Sequence, residues 1–243
     1  MQISRRKFTR TLIATSGSLV AGTGLASAKQ DKLEDIPKPK EAPNFEILIY
    51  DGFDELEAFG ALEALRWAAQ SVQFKSLRKQ DFVTAVSGVK IIPAGTFDLQ
   101  SAPDVLIVPG GGWPDPHVGA WAEAERGEIL EVLRQFHKQA QERKAVLASV
   151  CVGGLVLGKA GLLKDRPATT NRGFYQELKD MGANLIEARV VDDGDIITAS
   201  GVTASIDLGL WLVQKYCGAE KALASSRELD FELRGPIWQR AQR

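Results

Sequence analysis

Lys144-Ala-Val-Leu-Ala-Ser-Val-Cys151-Val-Gly-Gly-Leu-Val-Leu-Gly158 changes character at its centre. The apolar run that ends at Val150 has the length and β-branched content of a buried strand, and the residues after Cys151 suit a helix. Gly153 and Gly154 permit a tight turn with close helix packing behind it. A lone cysteine between a strand and a helix has the layout of a nucleophile elbow. There the positive end of the helix and exposed backbone N–H groups favour thiolate over thiol. The same cysteine also reads as a small core residue, because free cysteine is among the most buried residue types. Local sequence leaves both readings open.

Working outward, Phe45-Glu-Ile-Leu-Ile-Tyr50 reads as a first strand and Ala58 to Ala69 as a helix, with Asp51-Gly-Phe-Asp-Glu-Leu-Glu57 between them. Val72 to Leu77 alternates, and the runs Phe82–Val86 and Val89–Ile92 flank Ser87-Gly88 as in a hairpin. Asp104-Val-Leu-Ile-Val-Pro109 is a continuous apolar strand that runs into Gly110-Gly111-Gly112, the pattern of a buried parallel strand feeding a functional loop. Glu123 to Arg143 reads as one helix, with Ile129, Val132, Leu133, Phe136 and Ala140 at a helical period. After the elbow, Phe174–Met181 reads as a helix, Glu187–Val191 and Ile196–Ala199 as strands around Asp193-Gly194, and Ser205–Tyr216 as a last helix before a short tail. This alternation predicts an α/β fold, a three-layer α/β/α sandwich with a mainly parallel sheet and the elbow after a central strand.

Composition narrows the class. The 243 residues are 44% hydrophobic and 25% charged, with net charge −1, which fits one globular domain and gives no overall pull toward nucleic acid or anionic membrane. The N-terminus stands apart. Ser4-Arg5-Arg6-Lys7-Phe8-Thr9 precedes an uncharged stretch from Thr11 to Ala28, and Ala26-Ser27-Ala28 supplies the small residues a signal peptidase needs. Residues 1–28 are therefore expected to be a twin-arginine signal peptide that sends the chain to the periplasm or beyond, with membrane contact only if the signal is uncleaved. Residues 29–43, with Pro37, Pro39 and Pro43, read as a linker, and the domain is expected over 44–243. Export makes a Cys151–Cys217 disulfide worth weighing, but Cys217 ends a helical pattern and Cys151 a strand, so Cys217 reads as structural.

Four segments in order resemble the ThiJ/PfpI superfamily, with its class I glutamine amidotransferase-like, flavodoxin-like fold: Tyr50 to Gly60, Asp104 to Gly111, Ala148 to Gly158, and Val190 to Gly201 continuing to Asp207. The branch most similar is that of isonitrile hydratases and the sensor domains of AraC-type regulators. The resemblance covers nearly all of Phe45 to Tyr216. It implies that Cys151 is the nucleophile and Glu57 its acidic partner, a carboxyl driven toward its neutral form by the thiolate and by burial, and so able to act as general acid/base. Spacing alone does not choose Glu57 over Asp54 or Glu55. The hydratase branch carries the shorter Asp at position 57. The resemblance also implies an oxyanion or substrate pocket built from the N–H groups of Gly110, Gly111 and Val152.

Two positions depart from the pattern. Val152 follows the nucleophile where the hydratase branch has Thr and the peptidases have His, and Asn171, expected with Val152 to line the oxyanion or substrate pocket, stands at the other histidine position. Of the two histidines, His137 falls on a long helix and reads as solvent-facing, while His117 lies in the loop after the glycine turn. Cysteine–histidine peptidase chemistry is disfavoured on this ground. Phosphate-loop, dinucleotide and zinc spacings are lacking, so no cofactor and no metal are expected. Arg172 reads either as an anion contact or as a solvated rim. The expected activity is an exported cysteine enzyme, best read as isonitrile hydratase-like hydration of a small electrophile, with a non-catalytic ligand-binding or redox-sensing protein as the alternative. The expected partners are a small molecule and, from the resemblance, a second copy of the chain in a homodimer; no nucleic acid is expected.

Overall fold

The computed structural model describes residues 42–233 and 235–241. The expected signal peptide over 1–28 lies outside them, as does the expected linker up to residue 41. In chain order the elements are β1 (Asn44–Ile49), α1 (Glu55–Leu65), β2 (Ser71–Ser76), β3 (Val83–Thr84), β4 (Lys90–Ile91), β5 (Val105–Val108), α2 (Ala120–Arg126), α3 (Glu128–Arg143), β6 (Val146–Val150), α4 (Gly153–Lys159), β7 (Pro167–Ala168), α5 (Tyr175–Asp180), β8 (Asn184–Leu185), β9 (Val190–Asp192), β10 (Ile196–Ala199), α6 (Ala204–Cys217), α7 (Ala219–Glu228) and β11 (Ile237–Gln239).

The main sheet has seven strands in the order β11-β9-β10-β6-β5-β1-β2. The run from β2 to β10 is parallel, whereas β9 pairs antiparallel with β10 and β11 lies parallel to β9. Both β5 and β6 are buried along their whole length, as the apolar run of β5 and that of β6, interrupted only by Ser149, require when helices cover both faces. One helical layer is built from α1, α6 and α7, and the other from α2, α3 and α4. Ile129, Leu133, Phe136 and Ala140 form the buried stripe of α3. Ser205 of α6 donates its hydroxyl to the carbonyl of Leu56, fixing α6 against the start of α1.

Several elements differ from the sequence expectation. The helix expected over Glu123–Arg143 is two helices, because Gly127 adopts φ +82°, a left-handed conformation that ends α2 and starts α3. The short tail expected after Tyr216 contains α7 and the edge strand β11. The small sheet β7/β8 was not expected. His137 is not solvent-facing: its ring is 12% exposed and Nε2 lies 2.8 Å from Asp195, at the turn between β9 and β10. Arg166 also binds Asp195 and Asp193, and Arg240 binds Asp193, so the hairpin is held by charge on several sides.

Candidate active site

The site is assembled at the ends of β1, β5 and β6. Cys151 follows β6 directly and takes φ +55°, a conformation that costs a non-glycine residue about 1–2 kcal/mol. Cys151 itself therefore makes the turn for which Gly153 and Gly154 were expected to provide room. The strained geometry is held from three sides. The backbone N–H of Cys151 donates to the carbonyls of Ala199 (3.0 Å) and Ser200 (2.8 Å), and its carbonyl accepts the Thr170 hydroxyl at 2.7 Å. Gly153 serves close packing instead. A Cβ there would lie 2.3 Å from the carbonyl oxygen of Val108 and 2.9 Å from that of Pro109, so only glycine lets α4 descend onto the end of β5.

Glu57 reaches the same place from the first turn of α1. The helix begins at Glu55, earlier than the expected Ala58, because Asp54 caps it by accepting the N–H of Glu57 at 3.2 Å. Asp54 is thus committed to the cap, and Glu55 hydrogen-bonds Ser87 of the neighbouring turn. Of the three carboxylates considered, Glu57 alone is buried, at 1% exposure, and it hydrogen-bonds the Cys151 thiol. Its Oε2 accepts the N–H of Gly110 at 2.5 Å. Burial is the largest influence on this carboxyl and, with the charge of Asp54, outweighs the Gly110 and Cys151 hydrogen bonds, pushing its pKa up to about 8.

Burial also pushes the Cys151 thiol up, helped by the charge and hydrogen bond of Glu57 and opposed by the Val152 N–H and Asn171. The thiolate expected from the elbow is accordingly not the resting form at neutral pH, because desolvation outweighs the donors. Protonation of Glu57 removes the charge repulsion and leaves burial as the main obstacle to ionisation.

Gly110, Gly111 and Val152 lie together as expected, but with a different division of labour. The N–H of Gly110 is spent on Glu57, so it does not point into an oxyanion pocket. A Cβ on Gly110 would fall 2.7 Å from Val152 Cγ2 and 3.1 Å from Glu57 Oε2, which explains glycine at this position. The N–H of Val152 acts on the Cys151 sulfur. Gly111 packs against the Gly52–Asp54 turn, and its carbonyl accepts the N–H of Ala120 at 2.8 Å. Tyr50, which the sequence reading did not single out, pins this loop: its hydroxyl donates to the carbonyl of Pro109 at 2.5 Å. Its position at the end of the first apolar strand run, where the first quoted motif begins, was the available signal.

Asn171 stands beside the thiol in the place of the missing histidine, with Oδ1 accepting the N–H of Gly173 at 2.9 Å. Arg172 next to it is exposed, as is His117, whose backbone N–H donates to Asp115. Cys217 closes α6, with Sγ 3.7 Å from the carbonyl of Ala68. Among the described residues no group of three His, Cys, Asp or Glu side chains is placed to hold a metal ion, and no helix is long and apolar enough to cross a membrane.

The chain as a whole has known relatives. The chain is 37% identical over 149 residues to isonitrile hydratase of Pseudomonas putida, a match covering 61% of each sequence. It is 31% identical over 187 residues to protein DJ-1 homolog B of Arabidopsis thaliana, covering 76% of this chain and 40% of that protein. The chain thus spans less than two thirds of the length of these curated relatives. Among solved structures, a ThiJ/PfpI family protein from Pseudomonas syringae superposes with a TM-score of 0.70 at 27% identity, over 87% of this chain and 82% of that one. The DJ-1/PfpI family pattern itself matches residues 45–215, and the chain belongs to the DJ-1/PfpI family.

Proposed function

We propose that the protein hydrates a small isonitrile to the N-formamide, with Cys151 as nucleophile and Glu57 as general acid/base. The observation that carries this reading is the buried Glu57 carboxyl, hydrogen-bonded to the thiol and protonated at neutral pH. Such a group gives and takes protons without a histidine. In the first step the sulfur bonds to the isonitrile carbon while Glu57 delivers a proton to that carbon. The thiol proton passes to the carboxylate, so S–H adds across carbon and a thioimidate forms. Water then attacks the same carbon, Glu57 protonates the nitrogen, and the water proton returns to Glu57. Collapse breaks the C–S bond, the remaining hydroxyl proton passes back to sulfur, and the N-formamide leaves. The relationship to the Pseudomonas putida hydratase supports the choice of substrate class. Formamide release from small alkyl isonitriles is the test: turnover in wild type and none in Cys151→Ala is expected, and turnover unchanged in Cys151→Ala refutes the mechanism.

A second reading, a ligand-binding or redox-sensing protein without turnover, draws on Asn171, which stands beside the thiol in the place of a histidine. Peroxide titration followed by mass spectrometry tests it alongside the turnover assay, since a sensor forms the sulfenic acid at Cys151 faster than a model thiol does while leaving isonitriles unconverted. We further propose that residues 1–28 direct twin-arginine export and that the chain pairs as a homodimer. Cell fractionation of an Arg5→Lys/Arg6→Lys variant tests the first, and sedimentation of the purified protein tests the second.

A further inference from the structure

A cavity of about 260 Å³ lies beside the elbow, lined by Asn171, Arg172, Arg189, Ser200 and the turn 201–203. Two of these residues also touch the nucleophile. The carbonyl of Ser200 accepts the Cys151 N–H, and the side chain of Asn171 acts on the sulfur. A Cβ on Gly201 would fall 2.9 Å from Asn171 Nδ2, so the glycine gives the amide its place between cavity and thiol. The polar lining is rich in donors. Arg189 is fixed in direction, with Nε 2.9 Å from Asp207 Oδ2 and a terminal nitrogen 3.2 Å from the Thr203 hydroxyl. Asp207 is fully buried and balances its charge, so the unbalanced positive charge of the lining comes from the exposed Arg172, the first N–H groups of α6 being spent on the carbonyls of 201–203.

We propose that this cavity is a carboxylate subsite, which seats the anionic end of a small substrate while its reactive carbon reaches Cys151. The inference rests on Cys151 being the nucleophile, and it narrows the substrate class to short electrophiles, isonitriles first, that carry a carboxylate. Asn171 and the Thr203 hydroxyl would orient the carboxylate and Arg172 would supply its counter-charge.

Two measurements on the full chain test it. In an NMR titration of ¹⁵N-labelled protein, propionate is expected to shift the amides of 171–173 and 200–204 to saturation, and propionamide is not. Arg172→Gln is expected to weaken propionate about fivefold, with Arg172→Lys recovering most of the loss. Equal responses to propionate and propionamide, or equal binding by wild type and Arg172→Gln, overturn the subsite. The second measurement compares the rates at which iodoacetate and iodoacetamide alkylate Cys151. The iodoacetate-to-iodoacetamide ratio is expected to be about fivefold higher in wild type than in Arg172→Gln. An unchanged ratio severs the cavity from the thiol even if propionate binds. Failure of isonitrile turnover with propionate binding intact sinks the hydratase reading and leaves the subsite standing.

Discussion

Replacing Glu57 by Gln removes the proton while keeping a carbonyl oxygen for the Gly110 N–H. The native carboxyl titrates at about 8, against an ordinary value of 4.5. Between these values the folded state keeps the proton that the unfolded chain releases, so the contribution of Glu57 to stability is fully present below pH 4.5, falls as pH rises, and is lost above pH 8. One proton corresponds to about 1.4 kcal/mol per pH unit, and the whole interval to roughly 5 kcal/mol. Urea unfolding of both proteins across pH 5 to 8.5 isolates this slope, since the other titrating groups cancel in the difference. The wild type is expected to lose stability relative to Glu57→Gln as pH rises, at up to the one-proton slope. Parallel stability curves would refute a neutral buried carboxyl at this position. In the same variant, kcat for isonitrile hydration is expected to fall by about 10²–10⁴, the usual contribution of a positioned acid/base.

Gly153→Ala drives a methyl into the backbone carbonyls of Val108 and Pro109 and is expected to cost about 3 kcal/mol, a fall in Tm of about 10 °C by circular dichroism. Asp207→Ala deprives Arg189 of its buried partner and is expected to lower stability by about 2–3 kcal/mol in urea. For Asp195, burial raises the pKa, but hydrogen bonds from His137 and Arg166 outweigh it and hold the carboxyl below its ordinary value. Its stabilisation is present above the unfolded pKa and is lost as pH falls through the folded one. Asp195→Asn is therefore expected to be less stable than wild type at pH 7, with the gap closing in strong acid.

The central strands were legible because burial on both faces forces near-continuous apolar runs, unbroken in β5 and interrupted only by Ser149 in β6. The break at Gly127 was not, since polar residues on either side suit a helix and the left-handed φ belongs to one residue. In α7 the buried positions include Ala222 and Ala224, small side chains that leave a weak hydrophobic period, and β11 is short. Cys151 announced itself by its place between strand and helix. Its acid did not: Asp54, Glu55 and Glu57 are chemically close, and only the cap made by Asp54 shows which one turns inward. His137 looked solvated because its partner Asp195 lies 58 residues away in sequence. The spent N–H of Gly110 was equally hidden, since a backbone donor leaves no trace in residue identity.

The crowding of Gly110 by Val152 Cγ2 and Glu57 Oε2 means that positions 57, 110 and 152 share one small volume and cannot drift independently. A methyl gained at 110 would also meet the Val152 backbone nitrogen at 2.9 Å, which no side-chain change at 57 or 152 relieves, so position 110 is fixed as glycine. Directed libraries should therefore hold glycine at 110 and vary 57 and 152 together, since both side chains border the space that the missing Cβ leaves.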